Sequence, residues 1–314
     1  LSRNYSSDDV VEKFRRTGKE NTLFVFMEGV IERLRQLNHS GTAKNYSAAL
    51  GSFKRFRNNE DIQMEAIDHI LMEDYQAYLA SLGVVPNSIS FYMRILRAVY
   101  NRAVEQELTI DRNPFRTVFT GVEKTRKRAI SISDIKRIRD LDLSLKPNLE
   151  FARNLFLFLF LCRGMSFIDA AFLKKSDIQS GILTYRRHKT NQVLHIKIIK
   201  PIKELVDRYS SNDSPYLLPI ITRPHCDERR QYETALRRVN KSLKTIAGMV
   251  KLPIPLTTYV SRHAWATIAK SKNIPVNVIS DALGHDSIAT TQIYLASIDT
   301  STIDRANELI IKDL

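Results

Sequence analysis

Near its C-terminus the chain reads Thr257-Thr258-Tyr259-Val260-Ser261-Arg262-His263-Ala264-Trp265-Ala266-Thr267, then Leu283-Gly284-His285, then Thr290-Thr291-Gln292-Ile293-Tyr294. Apolar spacing predicts helices over about Thr257 to Lys270, Pro275 to Leu283 and Ser287 to Ile298. Guanidinium, imidazole and phenol thus follow one another on successive helices, with Tyr294 nine positions past His285. Singly, each is ordinary: one tyrosine among 12 on a helix is commonly a packing residue. Their joint order carries the information.

Upstream, Ile182-Leu183-Thr184-Tyr185-Arg186-Arg187 and Val193-Leu194-His195-Ile196-Lys197-Ile198 alternate apolar and polar residues around His188-Lys189-Thr190-Asn191. That pattern predicts a β-hairpin with Lys189 at its turn, and His188 and His195 on its surface. Ser131-Ile132-Ser133-Asp134 resembles a capping box opening a helix. A buried helix from about Leu149 to Gly164 takes Cys162 into its core, and a further helix runs from Glu228 to Met249.

The first third is helical throughout. A short amphipathic stretch follows Ser6 and Ser7 as far as Arg16; helices then run over Thr22 to Gln36, Thr42 to Arg57 and Met72 to Leu82, and a long one opens at Pro86. Lys44, Lys54 and Arg55 mark a basic face of this bundle, and Arg94 and Arg97 another. Periodicity fails between Asp111 and Ala129, where Asn113-Pro114 signals a turn and Lys124, Arg126, Lys127 and Arg128 cluster. The boundaries read as a helical domain over 1–112, a basic linker over 113–129 that lies along its partner, and a second domain over 130–314.

Bulk composition narrows the partner. The chain has 314 residues, Lys+Arg 48 against Asp+Glu 34, and a formal net charge of +14. Such a surplus favours an extended polyanion, DNA or RNA. Two cysteines give no sign of a disulfide scaffold, so a reducing compartment is the default. The apolar run Leu155 to Cys162 is too short to span a bilayer, and no signal peptide is visible. No paired acidic motif, zinc-ligand spacing or P-loop stands out, so no cofactor or metal is expected. A phosphodiester broken without metal needs side-chain cations in its place and a nucleophile from the protein.

Taken together, Arg262-His263, Leu283-Gly284-His285 and Tyr294, downstream of the Lys189 hairpin, resemble the C-terminal signature of the tyrosine recombinases, phage-type integrases that cut and rejoin DNA. The resemblance covers the whole chain and implies a mostly α fold with a small antiparallel β-sheet, a helical SAM-like core-binding domain preceding the catalytic domain. It implies Tyr294 as the nucleophile that holds the 3′ phosphate, Arg262 as a bidentate phosphate clamp, His285 as a hydrogen-bond donor and Lys189 as general acid. Two positions depart from the family pattern. In Cys162-Arg163-Gly164-Met165-Ser166-Phe167-Ile168-Asp169, the family's arginine slot is Ser166; Arg163, about one turn earlier, is the candidate substitute, or else only caps the helix end. The Ser166 departure resembles the integrases of conjugative transposons and related mobile elements. Tyr259 stands where the family has histidine or lysine; its pKa near 10 makes it a poor base, and it either holds the phosphate or packs.

The implied partner is double-stranded DNA, bound as a homotetramer, with accessory DNA-bending proteins as further partners and no membrane. The implied setting is the bacterial cytoplasm at the nucleoid. The Leu start and the missing arm-binding domain read as a truncated chain, and the Ile303 to Leu314 tail as a helix docking on a neighbour. Two alternatives stand beside recombination: a DNA-binding regulator impaired in catalysis, and strand relaxation of the type IB topoisomerase kind.

Overall fold

Apolar residues at helical spacing need a common face to bury, and four helices satisfy one another in the first part of the chain. In the computed structural model, which describes residues 21–123, 129–209 and 214–295, these are α1 (Leu23–Gln36), α2 (Ser40–Phe56), α3 (His69–Ser81) and α4 (Pro86–Glu105). Asp68 caps α3 by accepting from the Leu71 amide at 2.9 Å, and Pro86 sits in the first turn of α4, where its missing N–H has no helical partner to lose. Met27, Phe53, Tyr75, Met93 and Val99 are fully buried between them. Phe53 and Tyr75 meet edge-on at 4.9 Å, and the Tyr75 hydroxyl donates to Ser52 Oγ at 2.8 Å, so that buried hydroxyl is satisfied.

The chain divides into two compact units, Leu1–Thr125 and Arg126–Leu314. Much of the stretch expected to be linker from residue 113 packs on the helical unit instead. Phe115 and Val118 enter its core, the Phe119 amide donates to Gln76 Oε1, Ser90 Oγ donates to the Gly121 carbonyl, and Asn87 pairs both ways with the Glu123 backbone. A failed periodicity reported irregular backbone correctly but missed two anchoring apolar side chains. The Ser6 to Arg16 stretch, the Lys124 to Arg128 cluster and the Ile303 to Leu314 tail lie outside the described residues.

The second unit is built around α6 (Pro147–Leu161), whose Leu155, Phe156, Phe158 and Leu159 are buried, each worth about 2 kcal/mol of apolar transfer. Before it, α5 (Ile132–Arg139) opens on the expected capping box, with Ser131 and Asp134 bonded reciprocally. Behind it lie α9 (Glu228–Met249) and α10 (Thr258–Ser271), both packed on α6. Between them the chain makes the short α7 (Phe167–Ala171), an antiparallel sheet and α8 (Lys200–Tyr209).

The sheet has order β1-β2-β3, from Ile178–Gln179, Ile182–Arg186 and Val193–Lys197. Leu183 pairs with Ile196 and both are buried, while the neighbouring Thr184 and His195 are exposed, as the alternation required. The two-residue β1 and helix α8 were not anticipated. Last come α11 (Val276–Leu283) and α12 (Ile288–Leu295).

Candidate active site

Helix α10 carries Arg262 inward, 4% exposed. Its Nη1 donates to the Gly164 carbonyl at 2.8 Å and its Nη2 to the Leu283 carbonyl at 2.5 Å, so the guanidinium is held by the turn after α6 and the end of α11 together. Gly164 lies at φ +69°, and a Cβ there would stand 2.8 Å from the Arg262 Cα. Only glycine permits both the turn and that approach.

His285 follows directly on the α11 C-cap, Gly284, which adopts the left-handed φ of +62°. The reversal returns the His285 amide to the Ser280 carbonyl at 3.1 Å. Its Nδ1 lies 2.7 Å from the Thr291 hydroxyl, and Thr291 is buried on α12, three positions before Tyr294. Burial, followed by the charges of Arg262, Arg187 and Lys189, pushes the His285 pKa down to about 4, because an imidazolium there would lose hydration and also face three cations. The ring is therefore neutral at physiological pH.

Lys189 stands exposed at the hairpin tip, as expected. The tip is tied to the α11 end: Thr190 Oγ1 donates to the Gly284 carbonyl at 3.1 Å, and Gln192 Nε2 reaches the His285 carbonyl at 3.4 Å and Asp286 Oδ1 at 3.2 Å. The expected residues Arg262, His285 and Lys189 are thus brought to one place, and Tyr294 lies within α12.

Others are placed differently. Arg163 ends the α6 turn at φ +59°, half-buried, with its charge felt at the Cys162 thiol, which burial pushes well up from its ordinary range. Ser166 caps α7, and its hydroxyl donates to Asp169 Oδ2 at 2.6 Å. Tyr259 is 55% exposed, edge-on to His263 at 4.6 Å. His188 and His195 are exposed on the hairpin.

Sequence reasoning passed over Arg187. It reads as one more cation on a hairpin strand, yet it is 6% exposed and bonds through Nη1 to the Gly284 carbonyl. The strand alternation held the signal, because Leu183, Tyr185 and Arg187 share the inward face. In the helical unit, Lys44, Arg55, Arg94 and Arg97 are exposed, and Lys54 is bound to Glu28 at 2.6 Å.

Residues 22–123 match the phage integrase SAM-like domain, and residues 133–300 match the phage integrase family. Those matches define the class, an enzyme of DNA strand transfer. More particularly, the chain belongs to the phage integrase family, the tyrosine recombinases, and is a site-specific DNA recombinase. It is 27% identical over 244 residues to the tyrosine recombinase XerA of Pyrococcus furiosus, covering 75% of this chain and 79% of that protein. It is 25% identical to XerD of Halalkalibacterium halodurans over 85% of this chain and 94% of that one. In fold it is similar to a lambda integrase dimer bound to a core site, with a TM-score of 0.66 at 17% identity, covering 94% of this chain and 82% of that one. The Tn1549 transposon integrase in complex with a circular intermediate DNA gives 0.63 at 13% identity, with coverage of 90% and 98%. Among the described residues no helix is long and apolar enough to cross a membrane.

Proposed function

We propose that Tyr294 attacks a DNA phosphate and retains the 3′ end as a phosphotyrosine, so that strands are exchanged between duplexes and a mobile element is integrated or excised. The Tyr294–phosphorus bond forms as the bond to the 5′ oxygen breaks. The phenolic proton passes to water, and Lys189 supplies a proton to the departing 5′ oxygen. Arg262 clamps the nonbridging oxygens, and neutral His285 donates a hydrogen bond to them. Because the ester bond energy is kept in the intermediate, religation needs no ATP and no metal.

The observation that carries this reading is electrostatic. Arg262 and Arg187 are buried and bonded to the successive Leu283 and Gly284 carbonyls beside His285, and burial of that ring, followed by the charges of Arg262, Arg187 and Lys189, pushes its pKa down to about 4. A region that repels one more positive charge is one that welcomes a phosphodiester.

The lambda integrase has been captured as a tetramer on a Holliday junction. For this chain the need to cleave four strands supports a homotetramer on DNA; assistance by DNA-bending proteins and a place at the bacterial nucleoid are part of the same proposal. The bundle cations Lys44, Lys54, Arg55, Arg94 and Arg97, with Lys124, Arg126, Lys127 and Arg128, supply phosphate contacts.

A duplex carrying a nick beside its cleavage site tests the reading, since loss of the short product traps the adduct. A covalent protein–DNA adduct formed in EDTA supports it. The competing reading, a DNA-binding regulator impaired in catalysis, is favoured by Ser166, whose hydroxyl is committed to Asp169. That reading predicts binding without adduct.

A further inference from the structure

We propose that Arg187 is the second guanidinium of this active site, gripping a nonbridging oxygen of the scissile phosphate beside Arg262, and that Asp169 is its positioning residue. The inference rests on the phosphotyrosine reading above and assigns the cation that Ser166 cannot supply.

A buried guanidinium must be matched by anions or acceptors. Arg187 is matched incompletely. Nη1 donates to the Gly284 carbonyl, but Nε is buried without a hydrogen-bond partner. The Asp169 carboxylate stands 4.0 Å from that Nε, a distance of charge pairing and not of hydrogen bonding. Its oxygens are already engaged: Oδ2 accepts from the Ser166 hydroxyl at 2.6 Å and Oδ1 from the His188 amide at 2.8 Å. Asp169 therefore steers Arg187 without saturating it, and the guanidinium keeps donor capacity in the interior.

The position is equally specific. Arg262 is bonded to the Leu283 carbonyl and Arg187 to the Gly284 carbonyl, successive acceptors at the end of α11. Two forks are thereby set side by side at a helix C-terminus, where the backbone dipole tolerates positive charge. A Cβ on Gly284 would meet the Arg187 Cδ at 3.0 Å, so that glycine makes room for the fork. Both charges reach His285. Arg187 lies two residues before Lys189 on the same strand end, so phosphate clamp and general acid share one support. Ser166 gains a role in this arrangement. Its hydroxyl holds the carboxylate that aims the arginine.

The test compares adduct formation on the nicked duplex with an ordinary or a methylphosphonate group at the cleavage site. Methylphosphonate lacks one anionic oxygen and so needs less cationic help. With Arg187→Ala, the adduct rate on ordinary DNA should fall about 10²–10³-fold, and the deficit should shrink below about tenfold on methylphosphonate DNA. Arg187→Lys should fall between. Asp169→Asn should show the same substrate dependence more weakly, and added to Arg187→Ala it should cause no further loss, because it acts through the arginine. The double variant also removes the buried negative charge that Arg187→Ala would leave without its cation, which keeps the test available where the single variant fails to fold.

Equal losses on both substrates, or a wild-type rate for Arg187→Ala, would overturn the assignment. A substrate-dependent deficit in Arg163→Ala instead would move the role to that residue. Absence of adduct from the unaltered protein on its own site would strike the phosphotyrosine reading itself.

Discussion

Arg262 and Lys54 are both cations that the sequence directs to an anionic partner, and the two units hold them in different ways. In the second unit Arg262 and Arg187 are buried, locked onto carbonyls at one helix end and backed by glycines that leave no room for a side chain. In the helical unit Arg94 and Arg97 are exposed and loosely bonded, at 3.4 Å to the Ser90 carbonyl and 3.2 Å to Thr120, and Lys54 is spent partly on Glu28. Fixed, desolvated donors can stabilise charge that develops in a transition state, because they need no rearrangement when it appears. Mobile surface cations are screened and interchangeable, and contribute affinity. On the function proposed above, the difference separates a region suited to chemistry from one suited to adhesion.

That contrast can be broken at several points. The largest effect is expected for Arg262→Ala, which should slow adduct formation about 10³-fold while DNA affinity changes little, as read by trapping on the nicked duplex and by a binding titration. Comparable losses in rate and affinity would make Arg262 a mere binding cation. Lys189→Met should slow cleavage about 10²-fold on ordinary DNA and regain most of that on DNA with sulfur at the 5′ bridging position, where the leaving group needs no proton. A persistent defect on the sulfur substrate would remove Lys189 from the acid role.

Gly164→Ala sharpens the comparison through stability. The added Cβ would collide with the Arg262 backbone at a left-handed φ, so denaturant unfolding should show a loss of about 2 kcal/mol. An unchanged midpoint would mean that the turn and α10 can part freely.

A pH experiment reads the burial of His285 together with the charges around it. The folded pKa of His285, about 4, lies below its ordinary 6.5, so between those values the unfolded chain binds the extra proton. Stability should therefore be intact above about pH 6.5 and decline as pH falls toward 4, and His285→Gln should flatten that decline. The smallest effects belong to Arg94→Ala and Arg97→Ala, each lowering DNA affinity a few-fold and the salt slope by about 0.9, with the adduct rate at saturating DNA unchanged.

Much of the fold was legible because it follows local rules. Apolar spacing located the helices, the Ser131–Asp134 box marked one start, and alternation placed the hairpin with Lys189 at its tip. What escaped was tertiary. Phe115 and Val118 sit in irregular backbone where no period exists to flag them, and β1 is too short to show alternation. Within the candidate site, Arg262, His285 and Lys189 could be singled out because their order along the chain is distinctive, and the structure places them near one another. Arg187 was hidden, since an arginine on a hairpin ordinarily faces water, and only the fold shows it buried and bonded to the Gly284 carbonyl at the end of α11.

The central claim is that the phenol of Tyr294 takes the DNA. Trapping the unaltered chain on a nicked duplex, digesting both polymers and locating the residue that carries the nucleotide by mass spectrometry tests it directly. The account predicts the modification on Tyr294 and no adduct from Tyr294→Phe. A nucleotide on Tyr259, or an adduct that survives Tyr294→Phe, would contradict it.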